Sequence, residues 1–279
     1  MKRVLITGAA GQLGSTVVRR LSQHWEVVPF TRTELDIGDT ARALATIVAA
    51  APDVIINCAA YNDVDSAESA AAAALSANSM GVLTLARAAV ATGATLVHYG
   101  TDFVFDGTGE RPYLESDPPR PLSIYGTSKL LGEWFALEVP SAYVLRVESL
   151  FGGQPAKSSV DKIIAGIREG RPVRVFSDRT VTPSYVDDVA DATEQILTTQ
   201  APRGVYHCVN SGIGTWLDVA QEAARLLQRA AEIVPVSVSE VTFKARRPRY
   251  CALSNEKLAS AGVTMPTWQT ALTRYISSL

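Results

Sequence analysis

The stretch PRPLSIYGTSKLLGE, residues 119 to 133, places Tyr125 and Lys129 four positions apart beyond a proline-rich loop. On a helix the two side chains share one face, so an ammonium stands near a phenol. A phenol with a reference pKa of about 10 is a weak acid–base catalyst at neutral pH, and a neighbouring cation stabilises its phenolate. The pattern Y-x-x-x-K also arises on solvated helix faces, and by itself it does not choose between these roles. Upstream, ATLVHYGTDFVFDG reads as a strand ending at Tyr99, followed by a polar turn with Thr101 and Asp102. Catalytic groups in open α/β sheets collect at the carboxyl ends of strands. There the Thr101 hydroxyl can hold a carbonyl oxygen while Tyr125 protonates it, or it can simply close a local turn.

A second constellation lies at the start of the chain. KRVLITGAAGQLGSTVVRRL reads as a strand, then Gly8-x-x-Gly11-x-x-Gly14, then a helix. In the first βα turn, such glycines let the backbone approach a pyrophosphate, and the helix N-terminus supplies N–H donors. In EVVPFTRTELDIGD no acid ends the second strand to hold a ribose 2′-hydroxyl, and Arg32 follows the strand directly. An arginine there suits a 2′-phosphate, which favours NADP(H) with NAD(H) as the alternative. Asp36 and Ile37 stand where they can meet an adenine, although Asp36 reads equally as a loop or capping residue. The small residues Ala59 and Ala60 end a third strand in VIINCAAYNDVDSAE, where a chain can lie flat along a cofactor.

These residues need elements to hold them. The first two thirds of the 279 residues alternate β-branched runs with alanine-rich helical segments, the pattern of βαβ units around a parallel sheet. Strands are expected near Val4–Thr7, Glu26–Phe30, Val54–Asn57, Thr95–Tyr99 and Ala142–Val147. Helices are expected over Leu13–Gln23, Thr40–Ala50, a broken Ala67–Thr92, and from about Ser123. From about Phe151 the rhythm loosens into short strands and helices. The expected fold is α/β: a Rossmann-type doubly wound parallel sheet with a smaller C-terminal α/β subdomain that binds substrate. Residues 1–150 form the NAD(P)-binding part, to which parts of 178–210 return, and 151–279 form the substrate-binding part.

A net charge of −2 offers no electrostatic case for nucleic acid or an anionic membrane. The basic run FKARRPRY, from Phe243 to Tyr250, is an exception that can hold a small phosphorylated ligand or remain an exposed loop. Cys58, Cys208 and Cys251 lack metal-type spacing, and the three histidines form no zinc motif, so no metal is expected. Reduced thiols and the lack of an apolar run of roughly 18 or more residues point to a cytoplasmic protein.

Taken together, the glycine turn, strand-end threonine and Y-x-x-x-K resemble the short-chain dehydrogenase/reductase superfamily. GQLG, LDI, NCAAYNDVDSAE, TDFVFDG, PLSIYGTSKLLGE, TPSYVDDVA, GVYHCVNSGIGTWLDVA and RRPRYCALSNEKL are similar to successive motifs of the dTDP-4-dehydrorhamnose reductase family. The resemblance covers nearly the whole chain. It implies that Tyr125 is the proton donor, that Lys129 holds the nicotinamide ribose and lowers the tyrosine pKa, and that Thr101 positions a 4-keto oxygen. It also implies cofactor contacts from Gly11, Gln12, Leu13, Asp36, Ile37, Ala60, Tyr61, Asn62, Tyr125 and Lys129. Asn78 matches an asparagine that supports the lysine through water, while Asp102 and Phe103 are expected beside the substrate.

Three departures bear on specificity. In LRVESLFGG, Ser149 stands where the family commonly has tryptophan, and Glu148 precedes it. In Arg247-Pro248-Arg249-Tyr250-Cys251, Tyr250 and Cys251 replace small polar residues, and Arg247 remains for a pyrophosphate. Thr16 replaces a glutamate tied in some members to a magnesium-linked dimer, which leaves the oligomeric state open, a homodimer included. The resemblance implies an NADP(H)-dependent reductase of a nucleotide-linked 4-keto-6-deoxy sugar. Two alternatives stand beside it: an NADP-binding partner subunit, like the regulatory subunit of methionine adenosyltransferase, and a reductase of another carbonyl compound.

Overall fold

The computed structural model describes residues 1–279. The first part runs β1 (Arg3–Thr7), α1 (Gln12–Leu21), β2 (Glu26–Phe30), α2 (Thr40–Ala50), β3 (Val54–Asn57), α3 (Val64–Ala67), α4 (Ala71–Leu75), α5 (Gly81–Thr92), β4 (Thr95–Thr101), α6 (Ile124–Leu137) and β5 (Ala142–Val147). There follow β6 (Leu150–Phe151), α7 (Ser159–Arg168), β7 (Val173–Phe176), β8 (Thr180–Val181), β9 (Ser184–Tyr185) and α8 (Val186–Thr198). The chain ends with β10 (Gly204–His207), β11 (Gly214–Thr215), α9 (Trp216–Leu227), β12 (Ile233–Val236), α10 (Glu256–Ser260) and α11 (Trp268–Ser277).

Six parallel strands form one sheet in the order β10-β5-β4-β3-β1-β2. The chain leaves β1 toward β2 and returns on the other side to β3, so β1 and β3 flank the switch point where a ligand crevice opens. Continuous apolar runs such as Val54-Ile55-Ile56 are buried because both faces of the sheet are covered. One face packs on α2 and α5, and the other on α1, α8 and much of the C-terminal part. The remaining strands pair only in twos, β7 with β12, β8 with β11 and β6 with β9. β10 is different, since it joins the main sheet beside β5.

The alanine-rich segment is helical from Ala71 to Thr92 and, by length and composition, apolar enough to span a membrane. It is instead a core helix that packs against α2, α6 and β3. Its break is a π-helical turn at Ser76–Met80 between α4 and α5. The sequence pattern ends β4 at Tyr99, but the strand continues through Thr101. Gly100 and Thr101 stand opposite Arg146 and Val147 of β5, so inter-strand pairing carries the ladder two residues further. In α7, Val160, Ile163, Ile164 and Ile167 recur at helical spacing and are buried, and Ser158 and Asp161 open it with a reciprocal capping box.

A buried ion pair ties α6 to β5. Arg146 Nη2 lies 2.8 Å from Glu133 Oε2, and the guanidinium stacks 5.1 Å from the centre of the Phe105 ring. Removing one member leaves an uncompensated buried charge, whereas removing both restores balance. Glu133→Ala is therefore expected to lower unfolding free energy in urea by about 3–5 kcal/mol. The added substitution Arg146→Met should recover a large part of that loss.

Candidate active site

The first βα turn is shaped by Gly8. Its φ is +68°, and a Cβ there would lie 2.5 Å from the Ala59 nitrogen, so only glycine fits against the third strand's exit. Gly11 is the N-cap of α1 and contributes no side chain, which leaves the helix's first N–H groups without a side-chain cap. Asn57 anchors the opposite wall: its Oδ1 accepts from Thr7 Oγ1 at 2.7 Å and from the Ala59 N–H at 3.1 Å.

Between these walls runs a cleft with two lobes. The first, about 600 Å³, is lined by Gly8, Arg32, Asp36, Ile37, Ala59 and Tyr61 among others. The second, about 340 Å³, is lined by Gln12, Leu13, Gly14, Thr101, Tyr125 and Lys129, with Asp102, Phe103 and Ser149 beside them. Gly11, Cys58, Ala59, Ala60 and Asn62 border both lobes, so one extended molecule can lie along them. Arg32 stands at the outer rim with its side chain 86% exposed, and its Nε lies 3.4 Å from Asp36 Oδ2. Asp36 Oδ1 meanwhile accepts from the Gly38 N–H.

Tyr125 occupies the first turn of α6, where the Ser123 side chain caps the helix by accepting from the Gly126 N–H. Its ring meets Phe103 edge-on, with centroids 5.5 Å apart. Burial raises the Tyr125 pKa and the Thr101 hydroxyl pulls it back, while the Asp102 and Glu133 charges raise it further. The phenol thus stays protonated in the unliganded cleft. Lys129 Nζ donates to the Tyr99 carbonyl at 2.6 Å, which fixes the ammonium at the end of β4. Burial pushes Lys129 down to about 8, opposed by the Glu133 charge. Thr101 Oγ1 donates to Asp102 Oδ1 at 3.1 Å and accepts from the Phe103 N–H at 3.3 Å.

Asn78, in the π-helical turn, borders neither lobe. Its Oδ1 accepts from the Tyr61 N–H at 2.8 Å, and its Nδ2 donates to the Tyr61 carbonyl and to Ser128 Oγ, each at 3.0 Å. It joins the third strand's exit loop to the helix carrying Tyr125 and Lys129. A π-turn directs a side chain that a regular helix would aim elsewhere.

A third cavity, about 360 Å³, lies in the C-terminal part. Arg171, Arg174, Arg179 and Arg247 line it together with the aromatic residues Phe176, Trp216 and Phe243. Arg247 is therefore not in the cleft with Thr101. Its guanidinium lies 4.4 Å from the Phe243 ring centre, and its Nη2 donates to Asp65 Oδ2 at 2.7 Å, linking the C-terminal loop to α3. Arg179 stands at the partition between this cavity and the catalytic lobe, 5.6 Å from the centre of the Phe103 ring.

The family model described as RmlD substrate binding domain matches residues 1–279. The chain belongs to the RmlD family. It is 35% identical to a dTDP-4-dehydrorhamnose reductase of Burkholderia thailandensis, over 97% of this chain and 96% of that one. It is also 35% identical to a dTDP-4-keto-6-deoxy-D-glucose reductase of Streptomyces niveus, covering 98% and 96% respectively. The crystal structure of Bacillus anthracis dTDP-4-dehydrorhamnose reductase, in complex with NADP, superimposes with a TM-score of 0.95 at 32% identity. That match covers 100% of this chain and 99% of the other.

Within this RmlD-family chain, motif reading reaches the glycine turn and the Tyr125, Lys129 and Thr101 group, and it places Arg247 without its surroundings. It misses Arg179, Phe176 and Trp216. The trace of Arg179 and Phe176 is the interleaving of basic and aromatic residues in VRVFSDR, whose significance appears only once Trp216 of α9 and the 243–247 loop fold over it.

The buried Lys129 has a stability signature. Its pKa is depressed from 10.5 to about 8, so between those values the unfolded chain binds more protons and stability rises with pH. Lys129→Met is expected to melt several degrees above the parent at pH 7, with the gap closing toward pH 10. Calorimetry of the cofactor-free protein checks this.

Proposed function

We propose that the protein is an NADPH-dependent reductase of a dTDP-linked 4-keto-6-deoxy sugar, with dTDP-4-dehydrorhamnose as the first candidate. The observation that carries this reading is the meeting of Tyr125, Thr101 and Lys129 at the end of β4, on the floor of a cleft that extends to Arg32. The uncapped α1 N-terminus fits a pyrophosphate, and the exposed Arg32 fits a 2′-phosphate. A nicotinamide held in the inner lobe beside Lys129 and Tyr125 would supply hydride to the keto carbon.

The chain's own groups do the rest. Thr101 donates to the carbonyl oxygen, and Tyr125, protonated at neutral pH, passes its proton to that oxygen as negative charge develops. Lys129, anchored on the Tyr99 carbonyl, stabilises the resulting phenolate and holds the cofactor ribose. The arginine-lined aromatic cavity suits the diphosphate and the flat base of the nucleotide. The free thiols Cys58, Cys208 and Cys251 fit a reducing cytoplasm.

An intact acid–base trio favours an enzyme over a cofactor-binding partner subunit. Substrate choice among dTDP-4-keto sugars depends on the wall at Ser149, which lacks the large side chain common in the family.

Three measurements test the reading. NADPH oxidation is expected with dTDP-4-dehydrorhamnose or dTDP-4-keto-6-deoxy-D-glucose, and tight NADPH binding with turnover of neither would sink it. Tyr125→Phe should cut kcat by about 100-fold or more while leaving the Kd for NADPH nearly unchanged. Arg32→Ala should weaken NADPH more than NADH, and an equal effect on both would remove the cofactor preference.

A further inference from the structure

Two of the family departures meet in space. Glu148 and Cys251 come from distant parts of the chain, yet their ligand atoms and those of Asp102 all lie within 4.8 Å of one another, and all three residues are buried. Glu148 Oε2 accepts from the Thr182 N–H at 2.6 Å and from Thr182 Oγ1 at 3.3 Å, and Oε1 accepts from Ser149 Oγ. Ser149 holds a left-handed backbone, φ +43°, and borders the catalytic lobe. Such a conformation is costly for a residue with a Cβ and persists where surroundings enforce it.

The cluster has a single cation, Arg179. Its Nη2 lies 3.6 Å from Cys251 Sγ, and it forms no ion pair with either carboxyl group. Asp102 Oδ2 has no hydrogen-bond partner. Two buried carboxyls this close, facing one guanidinium, reach electroneutrality when one proton stays on the pair. Arg179 already supplies the positive charge that a metal ion would bring.

We infer that Asp102 and Glu148 form a carboxyl pair that together carry one proton and reload Tyr125 through the Thr101 hydroxyl. The inference rests on the reductase reading above. Each turnover removes a proton from Tyr125, and the resulting phenolate takes the Thr101 hydroxyl proton. The Thr101 hydroxyl, which donates to Asp102 Oδ1 at 3.1 Å at rest, turns to the phenolate and then accepts a proton from Asp102, and Glu148, whose carboxyl lies within 4.8 Å of that of Asp102, restores it. The pair regains one proton from solvent at Ser149, whose hydroxyl joins Glu148 to the cleft. Only protons move, one in and one out per carbonyl reduced. Glu148 touches no reacting atom and acts through Asp102 and Thr101, so it is a positioning residue.

The charges facing Glu148 agree with this. Burial, reinforced by the Asp102 charge, pushes its carboxyl up to about 8 against the opposing pull of Arg179 and the Ser149 and Thr182 bonds. Burial likewise pushes Asp102 up to about 6, opposed by Arg179 and Thr101. The Cys251 thiol is driven well above its ordinary value, so it carries no charge here.

Glu148→Gln keeps the shape and removes the shared proton. In the variant, kcat at pH 7.5 should fall about tenfold, less than the ~100-fold of a lost general acid because Glu148 acts indirectly, with the Kd for NADPH within about twofold of the parent. The alkaline fall of kcat should shift to lower pH, and the solvent deuterium isotope effect on kcat should grow. Superimposable pH profiles would overturn the inference while leaving the reductase reading intact.

A second measurement needs no turnover. Both carboxyls are raised in the folded state, so their stabilisation is complete at low pH and is lost as pH rises through about 6 and about 8. The parent Tm should therefore fall relative to that of Glu148→Gln between those values. Parallel Tm curves would also overturn the inference, even if neither sugar is reduced.

Discussion

A backbone contact holds the site in register. A Cβ on Gly132 of α6 would sit 2.1 Å from the Asn78 carbonyl oxygen, so the helix and the π-helical turn touch main chain to main chain. This proximity lets Asn78 reach Ser128 and the Tyr61 backbone together, and Ser79 Oγ adds a bond to the Ser128 carbonyl. α6 is thereby fixed in rotation and height, and Tyr125 and Lys129 follow because they belong to the same rigid turn. At its outer end Glu68 accepts from the Ile124 N–H, and Ser123 caps the first turn. Loosening any of these contacts would move the phenol relative to Thr101, which is tied to a different element, β4.

Around that frame the protein buries an unusual amount of charge. Lys129, Asp102, Glu148 and Arg179 are all buried, as is the Glu133–Arg146 pair behind them. In a medium of low polarity each charge weighs heavily on its neighbours. The consequence for Tyr125 is directional: burial and nearby carboxylates keep the phenol loaded, a state suited to giving a proton away. The elements impose a division of labour, with Thr101 and Asp102 at the sheet's carboxyl edge facing Tyr125 of α6 and the C-terminal part contributing the basic aromatic cavity.

How much of this could be read from the chain follows from the physical range of each signal. The glycine turn and the strand runs are local patterns, written within a dozen residues, and they reappear in the structure as read. The end of β4 did not, because Gly100 and Thr101 are drawn into the strand by partners in β5. Tyr125 and Lys129 do share α6, but Lys129 is drawn to the Tyr99 carbonyl and burial raises the phenol's pKa where the spacing suggests a lowered one. Asn78 also has a structural part that no local motif shows, since its amide joins the Tyr61 backbone to Ser128 of α6. Arg179 carries little local signal, because its environment is assembled from Phe103, Asp102 and Cys251, brought together only by folding. Glu148 and Cys251 looked like separate oddities in sequence and prove to be neighbours.

The position of β10 has a bearing on how the molecule is made. Until Gly204–His207 leave the ribosome, the edge of β5 has no strand beside it, and the buried Tyr143 lacks the Ala201 carbonyl to which its hydroxyl donates. An emerging chain that has completed five sheet strands and all of the cofactor cleft's walls still exposes a long, apolar strand edge, the kind of surface that pairs with a neighbouring nascent chain. Translation of more than fifty further residues must pass before that edge is covered, which makes this interval the vulnerable moment in the protein's biogenesis.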